Sequence, residues 1–153
     1  MITIKNSQRK FLINKTNIAK DLMAISSFVG CGGFSISLTL VSSKAMQQYN
    51  RLYRGKDKPT DILSFAFYPD HKPGEPLILK PGDPADLGDL LICPERVAAD
   101  AKEYGVSFDF RLRELLVHGV CHLLGYDHEL DSDYELMHAQ ERRILAFLSG
   151  DES

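Results

Sequence analysis

Hydrophobic and polar positions follow two rhythms along this chain. Period-two alternation predicts strands. Ile2 and Ile4 begin a short one, and "FSISLTLV" is the clearest, with Phe34, Ile36, Leu38 and Leu40 on one side and Ser35, Ser37 and Thr39 on the other. "DILSFAFYP" predicts a second strong strand ended by Pro69, and "GDLLIC" a further one. Between them the spacing turns helical. From about Thr16 to Phe28, Ile18, Leu22 and Ile25 recur at helical intervals until the glycines of "VGCGG" stop them. Ser43 can cap a helix that carries Met46 and Tyr49 on one face and ends near Gly55. Pro94 suits the first position of a helix running to Tyr104, with Gly105 as its stop. The segment from Pro69 to Leu87 holds Pro73, Pro76, Pro81 and Pro84. It reads as a long surface loop with a short extended piece at "LIL".

The last third is helical. Leu112, Leu115, Leu116, Gly119 and Leu123 form one apolar stripe between Phe108 and Leu124, and Gly125 is placed to end the helix in a left-handed turn. "SDYE", Ser132 to Glu135, matches a capping box that opens a final helix. Met137, Ile144, Leu145 and Leu148 are its buried face, which Glu141 shares, an odd place for a carboxylate. With no internal repeat or linker, residues 1–153 read as one α+β domain.

Composition narrows the classes. A 44% hydrophobic and 25% charged content is ordinary for a globular chain, which excludes disorder and repeat arrays. The net charge of −3 means that a nucleic-acid partner needs a local basic patch. Cys31, Cys93 and Cys121 are sparse and odd in number, which argues against a disulfide scaffold and fits a reducing compartment. Charged and polar residues interrupt "MITIKNSQRKFLINK", so no signal peptide is expected, and no apolar run reaches the ~20 residues of a membrane span. The expectation is a soluble cytoplasmic protein.

The chemistry concentrates in "HGVCHLLGYDH". His118 and His122 are four apart on a helix and project from nearly the same side. Gly125 permits a sharp reversal that can carry His128 back to supply a third nitrogen. Three imidazoles with an open fourth position suit a catalytic zinc ion, one per chain, on the C-terminal helix and the turn after it. Cys121 projects elsewhere and is not needed. The spacing is similar to the HExxHxxGxxH pattern of metzincin proteases, but Gly119 stands where they carry their glutamate base. Asp127 can orient a histidine or cap the turn, and Glu141 can accept from a histidine or sit at the edge of its stripe. A second constellation, "NRLYRGKDKPTD", gathers Arg51, Arg54, Lys56 and Lys58 around Tyr53. It is either a solvated turn or an electropositive patch whose aromatic could stack on a base.

"YRGKDKPTDILSFAF", "LGDLLI" and "HGVCHLLGYDH", in this order and spacing, resemble the signatures of the bacterial YbeY family over about Asn50 to Leu148. The resemblance implies a small mixed β-sheet covered by helices, zinc on His118, His122 and His128, and a functional arginine at Arg54. It implies a metal-dependent, single-strand-specific endoribonuclease that matures the 3′ end of small-subunit ribosomal RNA and serves ribosome quality control. Its partners would be single-stranded RNA and the ribosomal small subunit, with no membrane. Arg54 would then bind the phosphate, and Arg51, Lys56 and Lys58 would hold the strand. Two other readings compete: a zinc metalloprotease-like hydrolase, weakened by Gly119, and a non-catalytic ribosome-assembly factor.

Overall fold

The computed structural model describes residues 1–150. Its elements are β1 (Ile2–Asn6), α1 (Lys15–Phe28), β2 (Ser35–Leu40), α2 (Ser43–Arg54), β3 (Ile62–Ala66), β4 (Asp86–Ile92), α3 (Pro94–Tyr104), α4 (Phe108–Leu123) and α5 (Asp131–Leu148). The four strands form one sheet in the order β1-β2-β4-β3. β1, β2 and β4 run parallel, whereas β3 pairs antiparallel with β4 and forms an edge of the sheet. The architecture is α+β with a mixed sheet, as expected.

The pleat divides the strands between two apolar layers. Ile36, Leu38, Leu40, Ile62, Leu90 and Ile92 join the main core beneath α1, α4 and α5. Leu63, joined by the partly buried Phe65 and Leu91, forms a smaller cluster with Val41, Met46 of α2 and Cys93. That α2 packs on the smaller cluster sets it close to β3. α4 is the central helix. Its expected stripe is buried, and so are Val117, Val120 and Cys121, which makes the helix apolar nearly all round. It can lie so close to the sheet because Gly119 has no side chain: a Cβ there would stand 2.8 Å from Ile62 Cδ1 and 2.9 Å from Leu90 Cδ2.

Four local expectations are corrected. Ser42, not Ser43, caps α2, its hydroxyl accepting from the Ala45 N–H at 3.1 Å. The buried partner of Met46 on that helix is Asn50, one turn on, which donates to the Lys58 carbonyl at 2.8 Å and ties down the chain after the helix; Tyr49 is exposed. The "LIL" piece is not a strand. Its segment passes from β3 to β4 without a ladder partner. Finally, α5 begins at Asp131 with Leu130 at its cap position and no side-chain cap, so Ser132 lies inside the helix. Asp131 and Asp133 in its first turn favour the positive end of the helix dipole instead.

The close contact at Gly119 yields a stability prediction. Gly119→Val should overpack the α4–sheet interface and cost about 1–3 kcal/mol in urea unfolding. Gly33→Ala, where a Cβ meets nothing within 4 Å, should stay within about 0.5 kcal/mol of the parent.

Candidate functional site

One edge of α4 carries His118 and His122, and the chain then reverses. The helix ends in a Schellman motif: the Tyr126 N–H donates to Cys121 O at 3.1 Å and the Gly125 N–H to His122 O at 3.0 Å. Gly125 has φ +93°, and a Cβ there would stand 2.1 Å from the carbonyl oxygen of His71. Glycine is therefore required twice over, for its dihedral and for the chain that crosses it. Tyr126 is buried, which seats the turn, and Asp127 Oδ1 accepts from the N–H groups of His128 at 2.6 Å and Glu129 at 3.2 Å. Asp127 thus caps the turn. The result brings His128 back to the other two imidazoles.

Ring centroids lie 4.5 Å apart for His118 and His122, 5.3 Å for His122 and His128, and 5.9 Å for His118 and His128. One ring nitrogen from each falls within 4.8 Å of the others. The Nε2 atoms of His118 and His122 are 3.1 Å apart, near the roughly 3.3 Å that tetrahedral geometry gives two nitrogens about 2.0–2.1 Å from one zinc.

Proton accounting supports the same fit. His118 Nδ1 lies 2.9 Å from Glu141 Oε2, so the neutral tautomer that donates from Nδ1 to this carboxylate keeps its lone pair on Nε2. That lone pair faces His122 Nε2. Burial lowers His122 to about 4, the neighbouring His118 and His128 adding to the shift while a backbone hydrogen bond at Tyr126 opposes it. At neutral pH its imidazole is uncharged and able to ligate. Glu141, the odd carboxylate of the α5 stripe, is thereby explained: it holds the His118 ring. Cys121 is fully buried, and burial pushes its thiol up to about 12, so it remains an inert apolar group beside the site.

The trio opens into a cavity of about 570 Å³. Its lining includes Tyr53 and Arg54 from α2, Asp61, all of β3, and Asp127 and Glu129 from the turn. The structure thus brings Arg54 to the histidines. Arg51, Lys56 and Lys58 are exposed on the surface nearby and do not line the cavity. Sequence reasoning missed Asp61, Ser64, Phe65 and Glu129, because only tertiary contact between β3 and the α4 turn places them here. Asp61 Oδ1 accepts from the Ile62 N–H at 2.7 Å, and its Oδ2 accepts from Arg111 at 3.3 Å, which pins the start of β3 to α4. His71 was also missed. Its ring nitrogens lie 2.8 Å from Leu124 O and 2.9 Å from Glu75 O, which fastens the proline-rich loop to the end of α4.

Known proteins are similar to this chain along most of its length. The family model described as Endoribonuclease YbeY matches residues 3–149. Proteins named Endoribonuclease YbeY from Moorella thermoacetica and Syntrophotalea carbinolica are each 38% identical over 148 residues, covering 94% and 95% of this chain and 94% of each relative. One from Bacillus cytotoxicus is 44% identical over 113 residues, 74% of this chain and 72% of its own. Among solved structures, a Thermotoga maritima protein studied in solution is similar at a TM-score of 0.58 and 25% identity, over 99% of this chain and 93% of that one.

Two outcomes follow from the site. Gly125→Ala should cost at least about 2 kcal/mol in urea unfolding, because it adds left-handed strain to a backbone collision. In metal-free protein, His122 has a folded value of about 4 against an ordinary 6.5. The unfolded chain therefore binds a proton in that window that the folded one does not, and stability falls as pH drops from 6.5 towards 4. His122→Asn should flatten that slope in thermal melts taken across the same range.

Proposed function

The chain belongs to the YbeY family of endoribonucleases, and from that premise we propose that it is a zinc-dependent enzyme that cuts single-stranded RNA. Its place in the cell is the cytoplasm, in maturation of the 3′ end of small-subunit ribosomal RNA and in ribosome quality control. No helix among the described residues is long and apolar enough to cross a membrane. The observation that carries the reading is the convergence of His118, His122, His128 and Arg54 on one open cavity.

His118, His122 and His128 would hold one zinc ion, whose chemistry there is that of a Lewis acid, polarising a phosphoryl oxygen and making water more acidic. The chain's own residues do the rest. Arg54 binds the phosphate being cut: its guanidinium forks onto two oxygens and stays charged as negative charge develops. Glu141 fixes the His118 ring so that Nε2 faces the cavity. Asp127 holds the backbone of His128 in the turn. Arg51, Lys56 and Lys58, exposed on the segment that carries Arg54, attract the RNA backbone without reading its sequence.

The metalloprotease reading is weakened at position 119: HExxH enzymes carry their glutamate base there, whereas here a glycine faces the Ile62 and Leu90 side chains of the sheet. Cys121, the thiol of this helix, is buried away from the trio, and the side of the site beyond the three imidazoles opens into the cavity, which favours an ion with a position left for substrate.

The test is cleavage of an unstructured RNA by zinc-loaded protein beside metal analysis. His122→Ala should lose both stoichiometric zinc and cutting. Arg54→Ala should keep its zinc and lower kcat by roughly 10²–10³-fold, the loss typical for one transition-state donor, and Arg54→Lys should restore little of it. Glu141→Gln should weaken zinc binding about 10- to 100-fold in a chelator competition. A zinc-loaded wild-type protein that leaves RNA intact would refute the proposal.

A further inference from the structure

Beside Arg54 the cavity lining contains an aromatic surface that the proposed reaction does not use. Tyr53 is 59% exposed, a large fraction for a ring in a cavity wall. It does not hang loose. The Phe65 ring meets it at a steep angle of 68° with centroids 5.1 Å apart, and Tyr49, one helical turn back, lies nearly parallel at 13° and 6.4 Å. Phe65 in turn packs against the apolar cluster of Leu63, Met46 and Cys93. The chain of contacts runs from core to surface and ends in a braced, solvent-facing ring, next in sequence to the guanidinium that would bind the phosphate.

Such a ring offers a base a flat partner at small entropic cost, since Tyr has few rotatable bonds to freeze. A base can use it only when unstacked and turned out of its strand. Bases in an A-form duplex already cover one another's faces and lie beyond reach of side chains in the deep groove. We infer that Tyr53, braced by Phe65 and Tyr49, is the stacking platform for the nucleobase adjoining the phosphate on Arg54. This contact is what makes the site select single strands. The inference rests on the ribonuclease reading above and adds to it a positioning residue and a physical origin for the strand preference. Stacking is indifferent to base identity, so the platform selects strandedness rather than sequence.

The test uses zinc-loaded protein and a single-stranded oligoribonucleotide cut at one position, with bases near the cut replaced one at a time by abasic sites. With wild-type protein, one abasic position should raise KM roughly 5- to 100-fold. Tyr53→Ala should raise KM on the intact oligonucleotide by a similar factor while kcat changes much less, and the two changes combined should add nothing further. Tyr53→Phe should behave as wild type. The preference for the single strand over its duplex should shrink in Tyr53→Ala by the same factor. An unchanged KM in Tyr53→Ala, or losses that simply multiply with the abasic site, would overturn the platform while leaving the ribonuclease standing. If wild-type protein cuts none of the oligonucleotides, the ribonuclease reading and the platform fall together.

Discussion

A single close approach, of the His71 carbonyl to the backbone at Gly125, governs the working end of this fold. The α4 helix can present two imidazoles by its own periodicity, but the third must arrive from beyond the helix. It does so only because the chain reverses within a few residues, under a loop that leaves no space for a methyl group. The Schellman hydrogen bonds, the burial of Tyr126 and the Asp127 cap all serve that reversal. The His71 ring, bridging Leu124 and Glu75, locks the crossing loop in place. Here the backbone determines the geometry, and the side chains profit from it.

Electrostatics then decides when the cavity is useful. Asp61, Asp127 and Glu129 line it against a single arginine. Alone, that lining would turn away a polyanion. A divalent cation held by the histidines would, together with Arg54, offset the carboxylates, so the group proposed to supply the chemistry would also make the cavity hospitable to phosphate. A protein with a net charge of −3 would handle nucleic acid on these terms.

Much of this was legible in the sequence, and the failures have a common cause. The strands, the helices and the histidine turn come from local periodicity and from glycine and proline placement, which a chain declares residue by residue. Ser43, Tyr49 and the "SDYE" box went astray where two neighbouring residues could each do the job, or where a pattern sat one residue inside a helix that the tertiary fold had started earlier. Glu141 stood out as a carboxylate on an apolar face, and only the packing of α5 on α4 disclosed its partner. The ties of Asp61 and His71 gave no local signal, because they depend on contacts across 50 or more residues, and Phe65 reads in sequence only as one more strand residue until the fold brings it against Tyr53.

Gly119 carries a consequence for descent as well as for chemistry. A glutamate one position after the first histidine separates this helix from a peptidase helix on paper, a difference of very few nucleotides. In the folded protein that position is walled by Ile62 and Leu90 of the sheet. To host the longer residue, the Ile62 and Leu90 side chains would have to give way to a carboxylate brought into the apolar contact between helix and sheet. Two enzymes can share a spelling of histidines and glycine and still differ in what the helix presses against its floor.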